Sequence, residues 1–192
     1  NRSDQNPQTF IREYFPSLMN HLLSYEEKAK KRDDQGEYWW ELRACAYYPE
    51  FEKEKVVWQR ITQQPTFCIV PSKIMILDSM AFFVSDSFEK YQMALSNSRT
   101  ILFYVNKIVH QYGIAGFRLS NQYVENFPIP PISAANEPQV RQIESLVDAI
   151  LSAKKDNPAA DTSDFEQQID HLVYRLYDLT EEEIKIVENQ NG

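Results

Sequence analysis

Five side chains ahead of residue 123 carry donor chemistry suited to gripping nucleic acid: Arg43, Lys55, Arg60, Arg118 and Gln122. A guanidinium can fork onto the acceptor pair of guanine, a glutamine amide matches adenine, and an ammonium or guanidinium can neutralise phosphate. All five fall near segments that read as extended or as turns, where a side chain can reach outward. Each cation also has an ordinary alternative, as a surface charge paired with Glu41, Glu52 or Glu54.

Other chemistry finds less to build on. His21, His110 and His171 are widely separated and lack the spacing of a zinc protease or a serine triad. His171 lies beside an apolar stripe, which reads as a partly buried helix position rather than a base. Glu26 with Lys28, and Glu183 with Lys185, have the Glu-x-Lys spacing of a nuclease core, but both pairs fall on predicted helices with no preceding acidic strand. Cys45 and Cys68 are far apart and have no ligand companions, so neither a zinc site nor a disulfide framework is suggested. That cysteine usage fits a reducing, cytoplasmic compartment. The aromatics Tyr38, Trp39, Trp40, Tyr47, Tyr48, Phe51 and Trp58 could stack on bases, although packing is the simpler use for them.

The elements that must position the candidates are clearest between Ala94 and Ile132. Ser98 to Gln111 carries Ile101, Leu102, Val105, Ile108 and Val109 at helical spacing. Gly113 and Gly116 then bracket a reversal, two of only four glycines in the chain. Phe117-Arg118-Leu119 suits a short strand with Arg118 on the face opposite its apolar neighbours. Ser120 can cap a helix running through Tyr123 towards Asn126, and Pro128, Pro130 and Pro131 force an extended path after it.

Around this frame, Pro7 to Arg32 reads as helix with a break at Pro16, ending in the basic cluster Lys28, Lys30, Lys31 and Arg32. Such cations suit a helix C-terminus and, as a second use, phosphate. KVVWQRI, TFCIV, KIMIL and MAFFV, between residues 55 and 84, read as short strands of an antiparallel or mixed sheet. In KVVWQRI, period alone does not decide which face is buried. A helix is expected over Ser87 to Ser96, capped by Ser85 or Asp86. Downstream, the stripes Val140 to Leu151 and Phe165 to Leu176 predict a helical hairpin, and capping-box spacing at Ser163/Glu166 and Thr180/Glu183 places helix starts near residues 164 and 181. The expected fold is therefore α+β, a small sheet flanked by helices with a C-terminal helical hairpin. The predicted division is a core over 1–132 (helical lead-in 7–32, strands 55–84, helices 87–111, turn 113–126) and an acidic helical tail over 133–192 that packs on it.

Composition sets the outer bounds. The 192 residues are 43% hydrophobic and 25% charged, which suits a globular core, and no apolar run approaches the length of a membrane span. The start at Asn1, in a segment that reads as mid-protein, suggests an excised piece of a longer protein. A net charge of −8 argues at first against a polyanionic partner, yet residues 1–125 hold 15 cations against 15 anions, while 126–192 hold 5 against 13. The acidity thus belongs to the tail, which is expected to face away from DNA.

Taken in order, the LSNS, FY, GFR, QY and NFPIPPI segments resemble the C-terminal specificity domain of Taq-type adenine DNA methyltransferases and of fused type IIG restriction-modification enzymes. YFPSLMNHLLSYEEKAKKR, YWWELRACAYYPEFEKEKVVWQRI and HLVYRLYDLTEEEIKIVE extend the resemblance from about Tyr14 to Glu188. One departure is Ser96, where the family usually has an apolar residue. The resemblance implies double-stranded DNA as partner, and an upstream catalytic domain of the same chain that uses S-adenosylmethionine and an Asn-Pro-Pro-Tyr type motif on the flipped adenine. Neither a glycine-rich cofactor loop nor that motif is present, so the piece itself is expected to transfer no methyl group and cut no DNA. Two other readings use the same residues: part of the specificity subunit of a type I restriction system, or a protein-interaction module that docks through its acidic tail.

Overall fold

The computed structural model describes residues 6–44, 47–85, 88–111, 113 and 116–190. The chain forms two compact units, Asn1–Tyr48 and Pro49–Gly192.

In the first unit, helix α1 (Pro7–Tyr14) starts where Asn6 accepts hydrogen bonds from the Gln8 and Thr9 amides at 2.9 and 3.3 Å. It stops before Pro16, which lacks an N–H to continue the ladder and instead opens α2 (Pro16–Leu23). After α3 (Glu26–Ala29), Arg32 turns inward. Its Nη2 donates to the carbonyls of Trp39 and Glu41 at 3.0 and 2.7 Å, and its Nε donates to Ala29 O at 3.3 Å. Arg32 therefore staples the following loop, in which Tyr38 stacks on Trp40 at 4.9 Å. Cys45 lies outside the described residues.

The second unit begins within α4 (Tyr48–Phe51) and is built on β1 (Lys55–Gln59), the centre of a three-stranded antiparallel sheet. Its neighbours are β3 (Phe67–Val70) and β4 (Met80–Phe83), and the rungs Val57↔Cys68 and Val57↔Phe82 set the register. A second ladder joins β2 (Ile61–Thr62) to β5 (Phe117–Arg118), through Ile61↔Arg118 and Thr62↔Phe117. The single run expected for KVVWQRI is thus split at Arg60, whose N–H goes to Ser79 O at 3.0 Å and whose carbonyl accepts from Leu119 N at 2.8 Å.

The question of which face of β1 is buried resolves as both. Val56 and Trp58 enter the main core, while Lys55 and Val57 on the opposite face are equally inaccessible. What covers that second face corrects one expectation. KIMIL is no strand. Because β3 and β4 both run antiparallel to β1 on its two sides, they are parallel to each other, and the chain between them must travel the length of β1 instead of turning back in a hairpin. Residues 71–79 make that crossing, with Lys73 at φ 65° and its N–H on Phe51 O at 3.1 Å.

Helices α5 (Glu89–Asn97) and α6 (Arg99–Ile108) lie on the core side. Asn97 at their junction behaves like a neighbouring strand. Its Nδ2 donates to Phe67 O at 2.8 Å and its Oδ1 accepts from Phe67 N at 2.9 Å. Ser98 caps α6 through the Ile101 amide at 3.3 Å. Ser85 accepts the Phe88 amide at 3.4 Å before α5, and Asp86, the alternative cap, lies outside the described residues. Ser96 is buried and borders a hollow of about 300 Å³ beside Trp58 and Phe127. After α7 (Asn121–Val124), the proline run is fastened by two phenols: Tyr91 donates to Pro130 O at 3.0 Å and Tyr177 to Pro128 O at 2.9 Å.

Helices α8 (Glu137–Asp156), α9 (Ser163–Leu176) and α10 (Glu181–Gln190) complete the unit. Ile143, Val147, Leu172 and Val173 share the apolar core with Val56 and Trp58. The Thr180/Glu183 capping box forms, with Thr180 N to Glu183 Oε2 at 2.8 Å and the return bond at 3.3 Å. At α9 the cap falls one residue earlier than expected, on Thr162, whose hydroxyl donates to Glu166 at 2.6 Å, while Ser163 is turned to Asp161. His171 is exposed, not partly buried, with its ring edge-on to Tyr174.

Two outcomes follow from this packing. Gly116 sits at φ 89°, and a Cβ there would lie 2.5 Å from Thr62 O and 2.6 Å from Gln63 Cα, both backbone atoms. Gly116→Ala is expected to cost at least about 2 kcal/mol in urea unfolding, from strain plus displacement of the β2 turn. Burial pushes the Tyr91 phenol up to about 12. A tyrosine in the unfolded chain ionises near pH 10, so the unfolded state loses its proton first. The contribution is intact below about pH 10 and lost as pH rises through 12. The urea midpoint should fall across that window, and less steeply in Tyr91→Phe.

Candidate nucleic-acid interface

The site is assembled by a short ribbon and the helix that follows it. The isolated pairing of Gln111 with Phe117 and the β2–β5 ladder fold the chain back after α6, and positive φ at Gly113 and Gly116 permits the reversal. Alternation then sets the side chains: Phe117 and Leu119 are buried, and Arg118 between them is exposed. Leu119 is further fixed through its carbonyl, which accepts the Trp58 indole N–H at 2.9 Å in the interior.

Arg118 and Gln122 come together on one polar hollow of about 400 Å³, whose other walls are His110, Gln111, Ser120 and Tyr123. Guanidinium, amide, imidazole and hydroxyl groups converge there, a set that can both donate to phosphate and read base edges. His110, Gln111, Ser120 and Tyr123 were not among the expected site residues. The signal for the first two was the end of the helical period just before a glycine reversal, which returns residues 110 and 111 to the new strand.

The other expected positions have different surroundings. Arg60 adjoins the Ile61↔Arg118 rung, is 45% exposed in its side chain, and pairs with Asp78 at 3.1 Å. Arg43 belongs to the first unit, where it is exposed and stands 3.6 Å from Asp34. Lys55 requires a correction, because it is fully buried and cannot reach phosphate as the chain is folded. Its ammonium donates to Pro71 O at 3.4 Å and Ile74 O at 3.3 Å, so its charge serves the crossing segment. The alternation of KVVWQRI placed Lys55 on a face that looks open until residues 71–79 are laid across it.

The acidic pairs considered for cleavage have structural partners instead. Glu26 meets Lys30 at 2.8 Å within α3 and the residue after it, and Glu183 closes the capping box, where the Thr180 N–H and hydroxyl hold its carboxyl below the usual range. Among the described residues no three His, Cys, Asp or Glu side chains gather where they could hold a metal ion. The Pro128–Pro131 run has carbonyls bound by Tyr91 and Tyr177, in keeping with a structural role.

Residues 11–129 match the model of the TaqI-like C-terminal specificity domain, a span that contains the ribbon, α7 and every wall of the polar hollow. The chain belongs to that family. The match stops before α8, and no curated protein matches the chain. Membership carries a DNA-recognition role in Taq-type methyltransferase systems, and a specificity domain is a non-catalytic part. Among the described residues no helix is long and apolar enough to cross a membrane.

The different surroundings of two cations in this TaqI-like domain give a clean contrast. Lys55→Ala removes a buried stem and strips two carbonyls of their donor, and is expected to lower unfolding free energy by about 2–4 kcal/mol. Arg118→Ala, at an exposed position, should stay within about 0.5 kcal/mol of the parent in the same urea titration.

Proposed function

We propose that this domain reads a short DNA sequence for a bacterial adenine-specific methyltransferase, or for a fused type IIG restriction-modification enzyme, in the cytoplasm. Methyl transfer belongs to a separate upstream domain of the same protein that uses S-adenosylmethionine. This domain grips one side of the duplex and holds the target adenine over that catalytic domain. The observation that carries the reading is the convergence of Arg118 and Gln122 on one polar hollow inside the family-matched span. Arg118 is assigned to a base edge or to phosphate and Gln122 to a base edge. Arg60, beside the same ribbon, is assigned to phosphate after exchanging Asp78 for it. The net charge of −8 need not be overcome at the site, because residues 1–125 are balanced and the excess acids all lie beyond residue 125.

The test uses the full-length protein. Methylated positions in DNA exposed to it are mapped by sequencing, and binding to a duplex bearing the mapped sequence is titrated across salt. Arg118→Ala should weaken specific binding by about 10- to 100-fold and relax specificity at one base pair. Arg60→Ala should weaken binding to all sequences and reduce the salt slope by about one. Unchanged affinity and methylation in both variants would remove these residues from the interface. Absence of any salt-dependent DNA binding by the intact protein would instead favour a protein-docking module.

A further inference from the structure

The hollow of about 300 Å³ beside Trp58 has a chemistry opposite to that of the polar hollow at Arg118, although one helix contributes to both. Helix α7 lines the polar hollow through Gln122 and this one through Glu125. Aromatic side chains from three places in the fold border it: Trp58 of β1, Phe83 of β4 and Phe127 after α7. The Trp58 N–H is already engaged by Leu119, so its ring offers apolar surface alone. No described cation lines the space.

Into this apolar frame α5 brings two polar residues one turn apart, Gln92 and Ser96. Ser96 is only 6% exposed. Gln92 Oε1 is buried and accepts no hydrogen bond from any described residue. A buried amide oxygen without a donor is costly, and folded proteins leave few of them. Glu125, on the exposed side of α7, adds a carboxylate to the same lining.

These groups define the occupant by what they lack. With an orphaned carbonyl oxygen and a carboxylate in the wall and no cation to oppose them, the occupant has to bring N–H or O–H donors and cannot be an anion. Aromatic walls favour a flat ring, in stacked or edge-on contact. The volume sits at the lower end of the range of about 300–1,000 Å³ found for small-ligand sites, which suits a ligand of one or two rings. A nucleobase with an exocyclic amine meets all three demands, since it has a flat apolar face, donors in the ring plane, and ring nitrogens that can accept from the Ser96 hydroxyl. We propose that this hollow binds such a base, with its ring against Trp58 and Phe127 and its amine donating to Gln92 Oε1 and Glu125. Two sources share that chemistry, a free nucleoside and a base extruded from DNA. The binding itself does not rest on the DNA-reading function above.

The experiment irradiates the full-length protein with 8-azidoadenosine and locates the labelled peptides by mass spectrometry, which separates this hollow from any other nucleoside site in the protein. Label is expected at Trp58 or within residues 121–129, and unmodified adenosine should compete it away. N6,N6-dimethyladenosine, which keeps the ring but has lost both amine donors, should compete about tenfold less well. Gln92→Leu should weaken adenosine by a similar factor, and Ser96→Leu, which fills the hollow, should abolish label there. Urea unfolding of both variants checks that they fold, and if Ser96→Leu does not, Gln92→Leu and the dimethylated competitor carry the test alone. Absence of label at these residues in the wild type would overturn the proposal and leave the hollow to water. So would label undiminished in both variants, or equal competition by the dimethylated nucleoside. A second arm adds a saturating duplex bearing the methylated sequence. Loss of nucleoside labelling from the hollow assigns it to an extruded base, and undiminished labelling assigns it to a free nucleoside. The first arm contains no DNA, so its result stands apart from success or failure of DNA reading.

Discussion

The recognition half of this domain hangs on a hydrogen bond that crosses its interior, from the Trp58 indole N–H to the carbonyl of Leu119. The two residues are 61 positions apart, and both are inaccessible, so a misplacement of either strand would leave a polar group unpaired in apolar surroundings. That penalty ties β5 to β1. With Leu119 held inward, alternation leaves Arg118 no direction but outward, and Ser120 starts α7 at a defined angle. The geometry of the exposed hollow is therefore decided underneath it, by a contact that never meets a ligand.

On its other side the same strand meets the crossing segment at Lys55, and β1 has a character common to buried central strands: every side chain from Lys55 to Trp58 is packed, whatever its type. A lysine is tolerated because its ammonium lies against two carbonyls and its stem is as apolar as its neighbours. Helices α8 and α9 share the apolar core with Val56 and Trp58 on the opposite face. The region beyond residue 125, to which they belong, carries the chain's excess of acids.

Local chemistry proved the most legible part of the chain. Thr180 with Glu183, Pro16 and the two turn glycines each act within a few residues of themselves, and each performs as its type demands, whereas Ser120 stands at the N-cap of α7 without a side-chain cap bond. The exposure of Arg118 was also legible, because its two apolar neighbours leave it the other face of a strand. The failures share one cause. KIMIL has the composition of a strand, and Lys55 the look of a surface cation, but both are decided by strand order, which places β3 and β4 on opposite sides of β1. No short-range pattern encodes that order. The joining of His110 and Gln111 to Arg118 was hidden for the same reason, since it depends on how a turn closes in space.

Asn97 has a consequence beyond joining two helices. By offering its amide to both backbone groups of Phe67, it occupies hydrogen-bonding positions at which a further strand would attach. That rung of the β3 edge is closed by a single side chain, without adding a strand. An open strand edge offers its backbone groups to indiscriminate pairing. Sealing this rung keeps association in the hands of side chains, which can discriminate between partners, and away from main-chain groups, which cannot.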